Sequence, residues 1–460
     1  MLGALQLNER YALPRQYRGR AYEKEVSNMK KERTPLTNSN FGLMGWTLVI
    51  FYFFALFMDV GISADGAQIV IPAISEATGW NPSTLLYFNS IAGYVALIAY
   101  IPIGIWAQKR SPKTQATVLS ILAGIAYLLL GRATSIPMYA VCLVLAVVCS
   151  NGRCWISYAK LTSNWFPRKK GIVMGWTTIG NNASTMLLVP LLVAMIGFGG
   201  ISFATTVLGI FMIVTGILNQ LLVKDTPESC GHYPDNITPE QERQFGLESV
   251  SSAAADEPGK WTTVKILCCK EFWIIALACA LMMCGNVGCV AYSTVRIQEF
   301  GFTQAQAVLI NAVFAALACF GSIVWGWIDQ KFGTKKAVVL FCIVFGAAAF
   351  INVAASFAGH NLILMFISVF MFYWCIGGNA NWPVSLCASL FDRSDFLKAQ
   401  TPLTVVFTAG RMTAFSVIAF GMSLTGGTMD GAYIICGVLF VLAMILMLFL
   451  NVPKFKEKYR

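Results

Sequence analysis

Four ionisable side chains lie inside long apolar runs of the sequence, where charge is costly: Asp59, Arg153, Lys160 and Arg411. An ionised side chain at the centre of a bilayer costs about 2.5–3.5 kcal/mol. Asp59, Arg153 and Arg411 lie near the middle of their runs. We therefore expect them to face one another or a water-filled cavity, not lipid. Two cations and one carboxylate at the same depth favour the binding of an anion, with a carboxyl group able to exchange a proton.

Helical periodicity places polar side chains beside these charges. Ser157 and Lys160 fall on the predicted stripe of Arg153, since seven residues are close to two turns. Lys160 lies about 10 Å nearer the cytoplasmic end of this run than Arg153 does. Its ammonium can therefore also extend to the membrane–water interface. The side chains predicted to contact a bound solute are Arg411, Arg153, Asp59, Ser157, Asn181, Thr408, Tyr52 and Tyr292. The alternative is a structural pair of Asp59 with one arginine that only holds helices together.

The composition places most of the chain in a membrane. Of 460 residues, 57% are hydrophobic and 12% are charged, whereas an ordinary globular domain has about 25% charged residues. A soluble fold could not bury this much apolar surface. A secreted disulfide scaffold, a nucleic-acid-binding domain and a coiled coil are thereby excluded.

Twelve hydrophobic runs are long enough to cross about 30 Å of hydrocarbon. Spans 1 to 6 are predicted near 43–72, 84–107, 115–134, 138–163, 171–194 and 201–223. Spans 7 to 12 are predicted near 272–295, 305–328, 337–357, 361–390, 402–424 and 431–451. The predicted division is an N-terminal arm (1–42), a six-helix bundle (43–223), a linker loop (224–271), a second six-helix bundle (272–451) and a tail (452–460). The linker is polar and is predicted to be flexible.

Lysine and arginine concentrate on one side of these spans. The N-terminal arm has eight, and the connections after spans 2, 4 and 8 have three each. The positive-inside rule therefore predicts a multi-pass protein of the cytoplasmic (inner or plasma) membrane with both termini and the linker in the cytoplasm. The net charge of +11 is explained by topology, so we expect no nucleic-acid partner. The arm has no signal-peptide core, and Met29 is an alternative start.

A decapeptide recurs at equivalent places in the two halves. Residues 104–113 (GIWAQKRSPK) follow span 2, and residues 326–335 (GWIDQKFGTK) follow span 8. Two halves with matched turns indicate a parallel duplication. The decapeptide resembles the signature of the major facilitator superfamily, whose members are secondary transporters. The resemblance implies an all-α membrane protein with twelve transmembrane helices in two pseudo-symmetric six-helix bundles.

The resemblance also implies gating roles for Gly104, Gln108, Lys109, Gly326, Asp329, Gln330 and Lys331. Both copies have glutamine where the family has an aspartate that forms an ion pair across the gate. A neutral amide cannot form that ion pair, and Asp329 is expected to compensate in the second half only.

Two further segments narrow the resemblance. Residues 164–171 (NWFPRKKG) and 407–414 (FTAGRMTA) look like the 4–5 junction and the eleventh helix of the oxalate:formate antiporter family, which is related to the monocarboxylate porters. This resemblance places Arg411 at the position of a substrate-binding lysine. The second cation of the oxalate site, an arginine in span 8, is replaced here by Ser322. We therefore expect a monocarboxylate or a larger organic anion and not oxalate.

The sequence thus predicts a secondary active transporter of a small organic anion, working by proton symport or by exchange for a counter-anion. Two other functions stay open: a proton-driven exporter of a cationic or neutral compound, and a transporter-like solute sensor. No nucleophile–base pair, phosphate loop or metal-ligand spacing is found, so we expect no enzyme activity and no cofactor. We expect a monomer in the lipid bilayer.

Two charged residues are predicted to lie on the side opposite the basic connections, and each has its own interpretation. Arg296, at the end of span 7, either steers anions into the mouth or anchors its helix. Asp65 is interpreted as a solvated or helix-breaking residue and not as part of the site.

Overall fold

The computed structural model describes residues 36–63, 66–245, 260–290 and 292–458. Asp65 and most of the N-terminal arm lie outside the described residues. Within these ranges eleven helices are long and apolar enough to cross a membrane. The longest, Lys170–Leu222, has 53 residues and is interrupted at Gly200, where φ is +73°. It therefore supplies two spans, and the chain crosses the membrane twelve times.

The first half contains spans 1 to 6. Span 1 comprises Gly42–Ser63 and Ala67–Thr78, span 2 is Pro82–Lys109, span 3 is Pro112–Leu130, span 4 is Ile136–Trp165, and spans 5 and 6 are the two parts of Lys170–Leu222. The second half contains spans 7 to 12. Span 7 comprises Lys270–Val290 and Ser293–Glu299, span 8 is Gln304–Phe332, span 9 is Thr334–Phe357, span 10 comprises Leu362–Asn379 and Trp382–Leu390, span 11 is Phe396–Leu424, and span 12 is Asp430–Phe449. The linker contains the short helices Pro239–Gln244 and Thr263–Leu267, and Val452–Lys458 follows span 12.

Local sequence explains where several helices begin. The Ser111 hydroxyl accepts a hydrogen bond from the Thr114 N–H at the start of span 3. Thr303 and Gln306 form a capping box at the start of span 8. Such caps satisfy N–H groups that have no partner within the helix. An α-helix bonds its backbone polar groups within itself, as a membrane interior requires.

The two halves repeat one packing scheme. Span 1 packs on span 5, span 2 on span 4, and span 3 on span 6. In the second half span 7 packs on span 11, span 8 on span 10, and span 9 on span 12. The halves meet where span 5 contacts span 8 and where span 11 contacts span 2. The structure therefore has two pseudo-symmetric six-helix bundles, as predicted.

The repeated decapeptides supply glycines to both crossings between the halves. A Cβ on Gly104 of span 2 would lie 2.2 Å from the Thr401 Oγ1, and a Cβ on Gly326 of span 8 would lie 2.5 Å from the Gly171 carbonyl oxygen. Gly326 also packs on Gly175. Thr401 and Gly175 are each the sixth residue of their helices. The duplication thus preserves one close contact in two places.

Polar contacts join the halves on the side formed by the connections after spans 2, 4 and 8, here called the basic side. The Lys160 ammonium donates to the Arg393 carbonyl oxygen. The Lys170 ammonium donates to the Ser385 carbonyl oxygen over 3.0 Å. The Gln330 amide donates to the Arg168 carbonyl oxygen over 2.8 Å. The described conformation is therefore closed on the basic side.

The prediction of a flexible linker is wrong for its described parts. The buried Asp235 carboxylate accepts hydrogen bonds from the backbone N–H groups of Arg168 (3.1 Å) and Lys169 (2.8 Å). The Arg168 guanidinium also pairs with Asp235 and with Glu242. Composition alone does not reveal these contacts, because they depend on free N–H groups that the 4–5 connection presents.

The linker also contacts the second half. Glu228 pairs with Arg393 over 3.0 Å. The Asp395 carboxylate accepts from the backbone N–H groups of Lys260 (2.9 Å) and Trp261 (3.3 Å). Because it is bonded to both halves, the linker reinforces the closure of the basic side.

Replacing Gly326 by alanine tests the close crossing. We expect Gly326→Ala to destabilise the closed conformation by about 1–3 kcal/mol, since the added methyl group meets backbone atoms that cannot move alone. The measurement is the thermal unfolding midpoint of the purified protein. Gly346→Ala is the matched control, because its Cβ would have its nearest neighbour at 3.5 Å. Equal midpoints for the two variants would contradict the interpretation.

Lys169 predicts a pH dependence of stability. The side chain is 1% exposed, and its ammonium donates to Asn38 Oδ1 (3.1 Å) and the Asn40 carbonyl oxygen (2.9 Å). Burial lowers the pKa of Lys169 from 10.5 to about 8, although the negative charge of Asp235 opposes the shift. Between these two values the unfolded chain binds more protons than the native protein, so stability rises with pH.

We therefore expect the thermal midpoint of the wild type, relative to Lys169→Met, to increase as the pH is raised from 7.5 to 10. The exposed Lys109 provides the control, and the difference between wild type and Lys109→Met should stay constant. A difference for Lys169→Met that is constant or falls with pH would refute this assignment.

Candidate binding site between the two halves

Asp59 lies in the middle of span 1 and is 3% exposed. Its carboxylate lies beside the Ser150 and Trp155 side chains, close enough to Arg153 and Arg411 for their charges to act on it. Asp59 Oδ1 has no hydrogen-bond partner among the described residues. A buried carboxylate with an unused acceptor can take up a proton or accept a further donor.

Arg153 lies inside the first half and is 2% exposed. Its Nη1 donates to Ser120 Oγ over 2.7 Å, and its Nη2 donates to the Ala55 carbonyl oxygen over 3.2 Å. Ser150 Oγ lies 3.5 Å from the same Nη2. These bonds fix the guanidinium between spans 1, 3 and 4. Arg153 therefore acts on Asp59 as a fixed positive charge.

Arg153 and Ser157 both bond to span 3, as a common stripe predicts, but Lys160 does not share that stripe. Span 4 forms a π-helix over Arg153–Tyr158, in which the bonds run from i to i+5 and the register shifts. Ser157 is buried and donates to Gln115 Oε1 over 2.8 Å, so it faces span 3. Lys160 instead contacts the second half on the basic side.

Arg411 is the cation that the structure leaves accessible between the halves. Its side chain is half-buried, and among the described residues its guanidinium has no hydrogen-bond partner. Its charge acts on Asp59 of span 1 and on Tyr100 of span 2. The preceding Gly410 packs against span 7, where its Cβ would lie 2.3 Å from the Ala280 carbonyl oxygen. This tight crossing fixes the position of the arginine.

Asn181 occupies the equivalent place in span 5. Its preceding Gly180 packs against span 1, where a Cβ would lie 2.3 Å from the Phe53 carbonyl oxygen. Asn181 is half-buried. Its neighbour Asn182 makes the polar contact with the second half and donates to Ser322 Oγ over 3.0 Å. Ser322 therefore contributes to the contact between spans 5 and 8.

Tyr100 and Trp155 belong to the site but were not selected from the sequence. The Tyr100 hydroxyl donates to Asn151 Oδ1 over 3.1 Å and lies beside Thr408. The Trp155 ring lies 5.5 Å from the Phe407 ring of span 11, across the gap between the halves. Aromatic residues are too common in membrane helices for either to stand out by type or spacing.

The two tyrosines that the sequence predicts for the site, Tyr52 and Tyr292, lie in different surroundings. Tyr52 is fully buried and stacks on Tyr158 with ring centres 5.2 Å apart. It lies close enough to Asp59 for the charge of that carboxylate to act on it. Its hydroxyl has no partner among the described residues. Tyr292 is half-buried at the start of the helix Ser293–Glu299, at the far end of span 7. Only Tyr52 lies close to the charged cluster.

Arg296 anchors its helix, so the interpretation as an anion-steering residue is wrong. The guanidinium is 2% exposed and donates to Asn352 Oδ1 (2.6 Å), Asp430 Oδ1 (2.7 Å) and Glu299 Oε2 (2.7 Å). These bonds tie span 7 to spans 9 and 12. A cation saturated in this way is not available to a solute.

The two signature segments differ in their polar contacts. Gln108 and Lys109 are exposed. In the second copy Asp329 is buried beside Ser385, Thr334 and the charge of Lys170. Its carboxylate packs at Gly171, next to the first turn of span 5, where a negative charge is favourable.

Lys331 of that copy lies outside this contact. Its ammonium is 4.3 Å from the centre of the Trp327 ring. The polar part of the gate is thus asymmetric.

Solved structures show the same fold at low sequence identity. The proton:xylose symporter XylE bound to 6-bromo-6-deoxy-D-glucose matches with a TM-score of 0.69 and 11% identity, covering 90% of this chain and 99% of that one. FucP, a Major Facilitator Superfamily transporter in the outward conformation, matches with a TM-score of 0.65 and 13% identity, covering 89% and 99%.

Curated relatives match over part of their length. A hexose-6-phosphate:phosphate antiporter of Escherichia coli (strain K12) is 26% identical over 203 residues, which is 41% of each chain. A probable sulfoacetate transporter of Cupriavidus necator is 33% identical over 88 residues, which is 19% of each chain. The alignments thus span less than half of these relatives.

A family model extends over nearly the whole chain. The model described as Major Facilitator Superfamily matches residues 45–385 and 277–459. Together with the twelve crossings and the two pseudo-symmetric bundles, this match shows that the chain belongs to the Major Facilitator Superfamily of membrane transporters.

Proposed function

We propose that this transporter moves a small organic anion, a carboxylate, across the cytoplasmic membrane by alternating access. The observation that carries the proposal is Arg411, a half-buried guanidinium in the middle of span 11 with no hydrogen-bond partner among the described residues. A guanidinium matches a carboxylate with two parallel hydrogen bonds. The low dielectric of the surroundings strengthens that contact.

Asp59 supplies the competing charge. With the site empty, its carboxylate balances Arg153 and Arg411, whose charges both act on it. When a substrate carboxylate binds Arg411, it neutralises the positive charge that Asp59 had compensated. Asp59 can then bind a proton. Release of the substrate reverses the step. This exchange of partners supports proton symport, and the same site without protonation of Asp59 supports exchange of one anion for another.

The closed basic side supports the rest of the cycle. By the positive-inside rule this side faces the cytoplasm, so the described conformation closes the site on the cytoplasmic side. Opening towards the cytoplasm requires breaking the contact of Lys160 with the Arg393 carbonyl oxygen and separating the linker from one half. Rocking of two rigid bundles about the central site achieves this.

The names of the relatives support an anionic substrate. One is an antiporter of hexose 6-phosphate and phosphate, and another is a probable transporter of sulfoacetate. All of these solutes are anions. The preference for a carboxylate rests on the single accessible guanidinium in the described part of the site.

A proton-driven exporter of a cationic or neutral compound is the second candidate. Asp59 Oδ1 favours it, because this buried atom has no partner among the described residues and would accept a hydrogen bond from an ammonium group. The arginines would then act only as fixed countercharges. The two candidates differ in the charge of the ligand that binds.

We expect carboxylates, and not organic cations or neutral sugars, to raise the thermal midpoint of the purified protein at pH 5.5 and 7.5. A ligand at 100 times its Kd stabilises by about 2.7 kcal/mol. Arg411→Gln should weaken carboxylate binding by roughly 10- to 100-fold, since a hydrogen bond to a charged group contributes about 1.5–3 kcal/mol.

Arg132→Gln is the matched control for that experiment. The Arg132 side chain is exposed on the opposite side of the molecule and, within the described part of the chain, donates only to the Leu128 carbonyl oxygen. It should bind the carboxylate as the wild type does. Stabilisation by cations or neutral compounds that does not depend on Arg411 would overturn the anion site in favour of the exporter.

Asp59→Asn tests coupling to protons. In proteoliposomes loaded with the stabilising anion, we expect this variant to retain exchange of labelled anion. It should lose the accumulation that an inward proton gradient drives in the wild type, because an amide cannot take up the proton. Unchanged gradient-driven accumulation in Asp59→Asn would exclude Asp59 as the coupling group. If the proton gradient drives no accumulation in the wild type, the transport mode is anion exchange.

A further inference from the structure

A cavity of about 410 Å³ lies on the basic side beside the beginning of span 7. It is lined by Lys260, Trp261, Val264, Lys265, Cys268 and Cys269. These residues belong to the end of the linker and to the short helix Thr263–Leu267. Neither the central site nor the crossings between the halves use this cavity.

The cavity lies at the depth where a membrane meets water. The short helix ends three residues before span 7 begins at Lys270. Trp273, in the first turn of span 7, is 40% exposed and its indole N–H donates to the Leu267 carbonyl oxygen over 2.7 Å. Tryptophan at the end of a span is typical of the interface. Val264 is 70% exposed, which favours contact with acyl chains over contact with water.

The polar side of the cavity is positively charged. Lys260 and Lys265 are both exposed, and neither ammonium makes a hydrogen bond or ion pair with another described residue. Asp395 accepts from the backbone N–H of Lys260 and pairs with Lys398 over 2.8 Å. Its charge is therefore already balanced by another lysine.

The wall of the cavity is held in place by aromatic packing. The Trp261 ring stacks on Phe455 with ring centres 5.6 Å apart and lies edge-on to Phe391 at 5.6 Å. The Trp261 carbonyl oxygen accepts from the Lys398 ammonium over 2.8 Å. A fixed wall reduces the ordering that a ligand must impose when it binds.

We propose that this cavity binds the headgroup of an anionic phospholipid from the adjacent leaflet. The lipid phosphate would lie between Lys260 and Lys265, and an acyl chain would lie along Val264 and Trp273. Two lysines attract the phosphate, and the apolar surface beside them distinguishes a lipid from a free anion.

Cys268 provides a local probe of the cavity. Of the fourteen cysteines it is the exposed one, and the others are buried or half-buried. In nanodiscs that contain phosphatidylglycerol, we expect N-ethylmaleimide to modify Cys268 several times more slowly than in nanodiscs of phosphatidylcholine alone. The modified peptide is quantified by mass spectrometry, and Cys268→Ser identifies the signal.

In the double variant K260Q/K265Q, we expect N-ethylmaleimide to modify Cys268 at the same rate in both kinds of nanodisc. It should also retain phosphatidylglycerol about 30-fold less tightly in native mass spectrometry, since each lysine near an anionic lipid contributes a factor of roughly five. R110Q/K336Q removes two exposed cations that do not line the cavity, and it should behave as the wild type. Elution profile and helicity confirm that both variants are folded.

Three results would overturn the proposal. The first is an equal rate of modification in both lipids for the wild type. The second is slowing that persists in K260Q/K265Q, which would assign the effect to the surface potential. The third is the same slowing produced by inorganic phosphate in phosphatidylcholine discs, which would assign the cavity to a free anion.

Discussion

The electrostatic interaction of Asp59 with two guanidinium groups, in a medium of low dielectric, constrains the centre of this transporter. Isolated charges there would each cost several kcal/mol, so the three side chains must compensate one another. Arg153 is held by Ser120 and the Ala55 carbonyl oxygen within the first half. Arg411 belongs to the second half. Asp59 therefore links the charge balance of one bundle to the position of the other, and a solute that alters this balance changes how the bundles interact.

Close packing determines which movements are open to the bundles. Gly104 and Gly326 permit contact at two pseudo-symmetric crossings, where added methyl groups would meet Thr401 and the Gly171 carbonyl oxygen. The polar bonds over these crossings are not symmetric, because Gln330 donates to the Arg168 carbonyl oxygen while its counterpart Gln108 is exposed. The linker adds bonds from Asp235 and Glu228 to opposite halves. Closure of the basic side thus combines a symmetric glycine contact with an asymmetric set of polar bonds.

The sequence predicted the fold because hydrophobic runs, basic connections and the repeated decapeptide all act over short distances along the chain. It also selected Asp59 and Arg411, since charges in apolar spans stand out. It misjudged the face of Lys160, because nothing in the local pattern indicates the π-helix over Arg153–Tyr158. It left the role of Arg296 open, because its partners Asn352 and Asp430 are 56 and 134 residues away. Tyr100 could not be selected, since only the fold brings it to Asn151.

Counterflow in proteoliposomes tests the central claim most directly. Vesicles containing the purified protein are loaded with a carboxylate that stabilises it, and entry of the radiolabelled form of that carboxylate is followed without any proton gradient. The account predicts transient accumulation for the wild type and its loss for Arg411→Gln, with Arg132→Gln unaffected. Accumulation by Arg411→Gln at the rate of the wild type would contradict the assignment of Arg411 as the residue that binds the transported anion.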